Sequence, residues 1–340
     1  MTFGPFQRSR RQDAPRINAG ELVAATVAGQ IANPIVGQSP YRIGRDGALR
    51  VLPGTGGIVL NRRVGDPAVG LAGDHVEPGV SIRNNDHEVG TPPGGANRAL
   101  LAFSCIGNVA RVVTGPATGA TGTVIGKHGG INHVIVDFPP AVRQALRIGD
   151  RMQVTAVGQG LKLLDVRGVT AMNLAPRLLA RWGVRAWDGA VEVPVTHLVP
   201  SVLMGSGLGR PDGVLGDCDI QLTDRELCQR FRLGSLRFGD LVAIVSLDAR
   251  FGPSLRRGVI TVGVVVHSDS TVAGHGPGVT PLLVGRAGVL RPVYQPGANL
   301  ALALGLRSEA AALPPPAEGE RWLWRRVAPA RGVGLGALVG

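Results

Sequence analysis

Histidine is the residue type in this chain that points most directly to chemistry. Six of the seven histidines stand beside Gly, Asp or Pro turns or at the edges of expected strands: His75, His128, His133, His197, His267 and His275. Carboxylates that could partner them occur in similar turns: Asp74, Glu77, Asp137, Asp217, Asp219 and Asp269. Because imidazole together with carboxylate suits Zn²⁺, Mn²⁺ or Fe²⁺, we predict a divalent metal, Zn²⁺ or Mn²⁺. Its predicted ligands are His75, His197, Asp217 and Asp219.

The spacing of these residues excludes a local metal motif. No segment has the H-E-x-x-H type of spacing, so a metal site has to be assembled from separate loops. The simpler alternative is that each histidine satisfies the backbone groups of its own turn through its two ring nitrogens. If the loops form one shared site, four histidines should lie around a common cleft together with Asp217 or Asp219. These histidines are His75, His128, His197 and His275. His87, in a polar loop, is expected to be exposed.

Three side chains are candidates for catalysis: Lys127, His128 and His275. Only two of the 36 Lys and Arg residues are lysines, Lys127 and Lys162, and both are flanked by glycine or lie one residue from it. A buried lysine can become a neutral amine, whereas arginine stays charged. The alternative is that neither lysine has a special role.

Glycine-rich stretches supply candidate ligand-binding groups. The stretches 204–209 and 274–278 expose backbone N–H groups, which predicts an anion-binding nest for the negatively charged end of a substrate. The predicted ligand-binding residues are Gly129, Gly130, Lys162, Gly205, Ser206 and Gly276.

Several catalytic and cofactor motifs are absent from the sequence. Only Gly-Ser-Gly occurs at 205–207, so a G-x-S-x-G nucleophile elbow is unsupported. Cys218 lies between Asp217 and Asp219, and two neighbouring carboxylates should raise the pKa of its thiol, which argues against an activated nucleophile. No Walker A motif or dinucleotide fingerprint is present.

Composition limits the partners and the compartment. The formal net charge is +12, but the basic residues are scattered and aromatic residues make up 4%, so nucleic acid is not expected as a partner and a small-molecule ligand is expected. Three cysteines without a C-x-x-C pair argue against a disulfide framework. No apolar stretch approaches the ~20 residues that span a bilayer, and the N-terminus lacks a signal-peptide core. We therefore expect a cytoplasmic location, and both a monomer and a homo-oligomer are compatible with the sequence.

Short strands joined by glycine turns are the elements that must position these loops. With 51 glycines and 44% hydrophobic residues, the chain is predicted to be β-rich α+β with barrel-like modules. A turn followed by alternating apolar residues predicts strands in EPGVSI (77–82), IGDRMQV (148–154), FGDLVAI (238–244) and QPGANLALAL (295–304). The run LVAATVAGQI (22–31) predicts another, and GVITVGVVV (258–266) a fully buried one.

Helices are predicted to be few and short, at 139–146, 174–183 and 223–231, the last with Thr223 or Asp224 as N-cap. The predicted organisation has four parts: a flexible basic tail (1–18), an N-terminal β-rich module (19–185), a C-terminal β-rich module (186–311) and a proline-rich C-terminal tail (312–340). Both tails are expected to be dispensable for folding.

The segment 107–138 resembles the KOW-type hairpin of small SH3-like barrels. VARVV and TVIG read as strands around the turn GPATGATG, and HVIVDF follows as a third strand. Modules of this type often bind RNA, but they also occur as plain structural barrels.

A set of phrases together resembles domain-of-unknown-function family 4438, an uncharacterised bacterial and archaeal family. They are SPYRIGRDG (39–47), VGDPAVGLAGDHVEPGVSI (64–82), GKHGGINHVIVDF (126–138), GLKLLD (160–165), VPVTHLVPSVLMGSG (193–207), LRFGDLVAI (236–244) and GVVVHSDSTVAGHGPGVT (263–280). The resemblance covers roughly residues 20–300. It implies a β-rich α+β fold and brings no established activity.

A fainter similarity links the chain to the acetamidase/formamidase family of amidases. It rests on an HGG turn (128–130), a Val-Pro pair (199–200) and a Gly-Asp-Cys-Asp turn (216–219). The similarity implies a metal-containing site, although the family's fuller acidic run after the Gly-Asp element is absent.

These observations favour a small-molecule enzyme, hydrolytic, amidase-like and metal-assisted, in which a metal or general base activates water. The alternative is a non-enzymatic RNA- or ligand-binding β protein that uses the KOW-like module.

Overall fold

Short strands separated by glycine turns make up most of the architecture. The computed structural model describes residues 14–36, 42–86 and 94–327. The N-terminal strands are β1 (Ala25–Ile31), β2 (Arg42–Ile43), β3 (Leu49–Arg50), β4 (Val80–Arg83), β5 (Val109–Val112), β6 (Thr121–His128), β7 (His133–Asp137) and β8 (Arg151–Ala156). The later strands are β9 (Val169–Ala171), β10 (Arg185–Trp187), β11 (Ala190–Val195), β12 (His197–Pro200), β13 (Cys218–Asp219), β14 (Leu241–Asp248), β15 (Ser254–Val265), β16 (Gly278–Arg286) and β17 (Leu290–Tyr294). His87, expected to be exposed, lies outside the described residues.

Helices are short, as the sequence predicts. They are α1 (Gly95–Phe103), α2 (Pro140–Ala145), α3 (Pro176–Trp182), α4 (Arg225–Arg230), α5 (Leu300–Ala303) and α6 (Glu318–Val327). At the start of α4, the Asp224 side chain accepts a hydrogen bond from Leu227 N at 2.9 Å, which decides between the two predicted N-caps. Among the described residues, no helix has both the length and the apolar character needed to cross a membrane.

The N-terminal half closes into a six-stranded barrel in the order β1-β4-β7-β6-β5-β8. Strand β8 alternates strictly between exposed and buried side chains, which is the period-2 pattern of a strand with one face on a core. Val124, Val136 and Val154 fill the interior and are fully buried. The three predicted strands of the segment 107–138 are β5, β6 and β7, so the expected barrel-like module is confirmed.

The C-terminal half forms a second sheet in the order β12-β14-β15-β16-β13, with β9 paired to β16. Strand β15 begins exposed and is buried from Val259 onward, as the apolar run predicted. A smaller sheet has the order β10-β11-β17.

The predicted strand at 295–304 is wrong. This segment is a turn followed by α5, and Asn299 caps the helix by accepting a hydrogen bond from Ala301 N at 2.8 Å. Leu300 and Leu304 are buried four residues apart, so the alternating apolar pattern also fits a helical period. Helix α1 was not predicted.

The two halves share one hydrophobic cluster, which includes Ile31 of the barrel, Val264 of the second sheet and Val327. Backbone groups of Lys127 in β6 and the Thr280 hydroxyl in β16 also hydrogen-bond each other, at 3.3 and 3.0 Å. Contacts of this kind place β6 and β16 side by side, and the candidate site lies at their junction.

The segments expected as tails contact the body where they are described. Asn18 Oδ1 accepts a hydrogen bond from Lys162 N at 2.8 Å. In α6, Glu320 is buried and pairs with Arg232 at 2.7 Å, while Leu323 and Val327 pack into the core. The sequence predicts a proline-rich tail here, but α6 packs against the body. Its buried apolar residues and the ion pair with Arg232 hold it in place.

Candidate metal centre

The candidate site collects loops from one end of the barrel and one edge of the second sheet. The barrel supplies His75 and Glu77 ahead of β4, and the pair His128 and His133, which face each other across the β6–β7 hairpin. The second sheet supplies Asp217 and Asp219 at β13, His267 after β15 and His275 before β16. His75 adopts a left-handed backbone conformation with φ of 53°, an uncommon state for a residue other than glycine.

The first group of possible metal ligands consists of His128, Asp217 and His267. One ligand atom from each lies within 4.8 Å of the other two. His267 Nε2 and Asp217 Oδ2 approach to 2.7 Å, but their geometry is not that of a hydrogen bond. Both atoms are buried, and neither has another hydrogen-bond partner among the described residues.

The second group consists of His75, Asp219 and His275, again with ligand atoms within 4.8 Å of one another. Asp219 Oδ2 lies 3.2 Å from His275 Nδ1 and 3.6 Å from His75 Nε2. Its other oxygen, Oδ1, lies 3.5 Å from His267 Nε2. Asp219 therefore stands between the two groups.

Oxygen atoms behind three of the imidazoles fix their orientation. His128 Nδ1 faces Glu77 Oε1 at 2.5 Å, His75 Nδ1 faces Asp74 Oδ1 at 3.1 Å, and His267 Nδ1 faces the Ser268 carbonyl at 3.0 Å. Since a carboxylate or carbonyl oxygen accepts, each Nδ1 donates to it, and each Nε2 is the ring nitrogen that faces the cluster. Histidine ligands of metals in proteins are held in this way.

Glu77 accepts more hydrogen bonds than the other orienting groups. It is fully buried and accepts hydrogen bonds from His133 Nδ1 at 2.9 Å, Gly56 N at 2.8 Å and the Ser81 hydroxyl, besides its contact with His128. Burial alone would raise the pKa of this carboxyl, but the two imidazoles lower it below its ordinary value. Glu77 is thus an anchor for the barrel side of the site.

The two aspartates face the same side because they are two residues apart in an extended segment. The Gly129 N–H donates to Asp217 Oδ1 at 2.7 Å, and the Gly276 N–H donates to Asp219 Oδ2 at 3.3 Å. Between them, Cys218 is buried on the opposite side, and burial together with the flanking carboxylates raises the pKa of its thiol, as expected.

Glycine at position 278 keeps the space between Asp217 and His267 open. A Cβ at this position would lie 1.9 Å from Asp217 Oδ2 and 2.2 Å from His267 Nε2. Any side chain here would occupy the gap between the two unpartnered atoms. Donor types, orientation and open space therefore all fit a metal ion.

The electrostatic field of the cluster favours a positive charge. Burial lowers the pKa of His267, but the carboxylates of Asp217 and Asp219 raise it well above its ordinary value. Burial raises the pKa of Asp219, while the imidazoles of His267, His275 and His75 lower it well below its ordinary value. His128 behaves differently, because burial and the neighbouring His267 both lower its pKa.

A cavity of about 260 Å³ opens onto the cluster. Most of the predicted site residues line it: His75, His128, Gly129, Gly130, Ser206, Asp217, Asp219 and His275. Arg42 and Arg210 line it as well, although no sequence pattern marked either one. The sequence marks His267 as a turn histidine but does not predict it as a ligand.

The structure does not bring His197, Lys127 or Lys162 to this cavity. His197 lies in β12 and contacts Thr196 Oγ1 at 2.9 Å and Ser235 Oγ at 3.1 Å. Lys127 is fully buried, and its Nζ donates to Asn173 Oδ1 at 2.7 Å and the Val214 carbonyl at 3.0 Å, while burial lowers its pKa to about 8. Lys162 is exposed beside the N-terminal segment.

The predicted anion-binding nest is largely occupied by the protein's own acceptors. The Gly205 N–H donates to the Asp219 carbonyl and the Ser206 N–H to the Gly274 carbonyl, both at 2.8 Å. The N–H groups of Gly129 and Gly276 hold the two aspartates. These glycines therefore position the candidate metal ligands rather than offering free donors to a substrate.

Known proteins match this chain over most of its length. The family described as domain of unknown function DUF4438 matches with its N-terminal part over residues 41–180 and its C-terminal part over residues 181–304. A solved structure described as "Crystal structure of TM1086" is 40% identical, covers 85% of this chain and 99% of that chain, and has a TM-score of 0.79. The comparison with curated proteins found no match. These matches do not show the similarity to amidases. The chain belongs to the DUF4438 family.

Proposed function

We propose that this protein is a divalent-metal-dependent hydrolase of small molecules whose centre holds two ions side by side. The observation that carries the proposal is the pair of adjacent His-Asp-His groups, in the first of which the buried His267 Nε2 and Asp217 Oδ2 lie 2.7 Å apart without a hydrogen-bond partner among the described residues. Hydrogen bonds from Gly129 and Gly276, and acceptors at Asp74, Glu77 and Ser268, hold the ligands in place.

The ligand chemistry favours Zn²⁺ or Mn²⁺. Each group offers two imidazoles and one carboxylate, which leaves coordination positions for water and substrate. A single group of this kind also suits Fe²⁺ in oxygenases. Two adjacent groups linked by Asp219 instead favour hydrolysis, since paired ions generate a nucleophile from water and stabilise the leaving oxygen.

Residues around the cavity are placed to bind a substrate. His275 is the most solvent-accessible of the four ligand histidines, with 34% of its side chain exposed. Its Nδ1 faces His75 Nε2 at 3.0 Å and Asp219 Oδ2 at 3.2 Å, so Nδ1 is its ligand atom, and its Nε2 would carry the ring proton and donate a hydrogen bond to the substrate. Ser206 and Arg210 border the same space and are placed to contact the substrate.

The cavity volume suits a small molecule, and amides are the first substrates to test because of the faint amidase similarity. A cytoplasmic location and the KOW-like character of the barrel remain part of this proposal. The alternative of an RNA-binding barrel lacks a comparable observation, because the ionisable residues converge on a cavity rather than on an open face.

Metal titration of the purified protein tests the proposal. After chelation and dialysis, calorimetry with Zn²⁺ and with Mn²⁺ should show two sites per chain. His267→Ala should remove at least one of them, whereas His197→Asn, a change at a buried histidine outside the site, should keep both. The metal-loaded protein is then assayed on amide, ester and phosphoester panels. Absence of binding, or equal binding by His267→Ala and the wild type, would overturn the metal centre.

A further inference from the structure

A second and larger cavity adjoins the metal centre. It has a volume of about 560 Å³, and Arg210 lines both cavities. A Cβ on Gly129, next to the ligand His128, would lie 2.4 Å from Arg210 Nη1. The Arg210 guanidinium thus lies over the backbone of the metal site and borders the larger cavity as well.

Among the described residues, three arginines line the larger cavity, and few carboxylates of the same part of the chain compensate their charges. Arg83 Nε is buried without a hydrogen-bond partner among the described residues. The Arg98 side chain makes no hydrogen bond or ion pair with any residue in the described ranges. The carboxylate closest to Arg210, that of Asp212, is 3.7 Å away.

The acidic residues of this cavity do not neutralise the arginines. Asp86 pairs with Arg151 at 2.8 Å. That leaves Asp212, which lies beside Arg210, as the one other carboxylate that lines the cavity among the described residues. Arginines that line one cavity create a positive potential there, which attracts an anion.

Helix α1 adds to the positive potential. Its N-cap is Gly94, which lines the cavity and has no side chain to cap the first N–H groups. The amide side chains of Asn85, Asn97 and Asn132 border the same space. Guanidinium groups, amides and a helix N-terminus are the groups that bind carboxylate and phosphate oxygens in proteins.

We infer that this cavity binds the anionic group, a carboxylate or phosphate, of the substrate whose reacting bond lies at the metal centre. The role as a substrate subsite rests on the proposed function, whereas anion binding itself does not require the metal. Arg210 links the anion-binding cavity to the metal centre, because it lines both the larger cavity and the cavity at the His-Asp cluster.

Calorimetry on metal-free protein tests the inference with two probes, inorganic phosphate and succinate, and the stronger binder identifies the class of anion. Saturable binding at one site per chain is expected. Arg98→Gln and Arg210→Gln should each weaken it by about tenfold. The matched control is Arg111→Gln, which removes the same charge from an exposed position on β5.

The outcomes of this experiment distinguish the anion site from the metal centre. Loss of binding in the two cavity variants, with binding retained in Arg111→Gln, supports the anion site. If neither probe binds saturably, or if Arg111→Gln weakens binding equally, the inference is wrong. If anion binding depends on Arg98 and Arg210 but the wild type binds no metal, the anion site stands and the metal proposal fails.

Discussion

His267 Nε2 and Asp217 Oδ2 lie 2.7 Å apart without a hydrogen bond between them. A buried polar atom without a partner destabilises a fold by about 1–3 kcal/mol, so two such atoms at close range need a common partner. The field of Asp217 and Asp219, which raises the pKa of His267, favours a positive charge at the same point. A metal cation satisfies both requirements at once.

Replacing the glycine beside this pair should abolish metal binding. In Gly278→Ala, the new methyl group would stand about where a cation has to fit, 1.9 Å from Asp217 Oδ2. The ends of the Asp217 and His267 side chains can move aside, so we expect loss of at least one metal site with a modest loss of stability, about 1 kcal/mol. Calorimetric titration with Zn²⁺ and urea unfolding measure the two effects.

A matched glycine variant controls for the change in backbone entropy. A Cβ at Gly234 meets no atom within 4 Å, so Gly234→Ala should bind metal as the wild type does. Equal metal stoichiometry in Gly278→Ala and Gly234→Ala would show that the gap beside Asp217 is not a cation site.

Glu77 should control metal affinity without touching the metal. Glu77→Gln removes the negative charge that orients His128 and leaves an amide NH₂ that cannot accept the second histidine's proton. We expect metal affinity to fall by about 10- to 100-fold, the usual effect of losing such a partner. Zinc titration measures it, with the exposed Glu21→Gln as the charge-matched control and urea unfolding as the check that the variant is folded. Unchanged affinity would contradict this orienting role.

The sequence was informative about local structure because local patterns determine it. Alternating apolar residues placed β4 and β8, and the capping residue placed α4, within a residue or two. The same logic failed at 295–304, where Leu300 and Leu304 satisfy a helical period as well as a strand period. Helix α1, in GANRALLAF, has no side-chain cap at Gly94 and therefore gave no start signal.

The candidate site was only partly predictable, because local sequence patterns do not determine the order of strands in a sheet. His197 and His267 both flank apolar strands, but β12 and β13 are opposite edges of one sheet, with β14, β15 and β16 between them. At about 4.8 Å per strand spacing, the edges lie roughly 19 Å apart. His197 is therefore too far from Asp219 to share a metal, whereas His267 follows β15 and reaches it. Arg210 stands in an irregular loop that carries no pattern.

His197 should make stability fall as the pH decreases. Burial and the nearby charges of Arg232 and Arg237 lower its folded-state pKa to about 3, from an unfolded value of 6.5. Between these values the unfolded state binds the extra proton, so stabilisation is complete above pH 6.5 and is lost as the pH falls. At pH 5 the loss is about 2 kcal/mol. Urea unfolding at pH 7 and pH 5 should show a smaller difference for His197→Gln than for the wild type. Equal differences would contradict the lowered pKa.

Helix α6 should contribute to stability, contrary to the expectation of a dispensable tail. Glu320 has no exposed side-chain surface, and it pairs with the buried Arg232 at 2.7 Å and accepts from Trp324 Nε1 at 3.0 Å. Glu320→Gln leaves the Arg232 charge buried without its counter-ion, and breaking such a pair destabilises a protein by about 3 kcal/mol. Urea unfolding should show this loss, while Glu318→Gln, an exposed change on the same helix, should stay within about 0.5 kcal/mol of the wild type. If both variants unfold at the wild-type urea concentration, α6 does not stabilise the body, and residues 312–340 are dispensable after all.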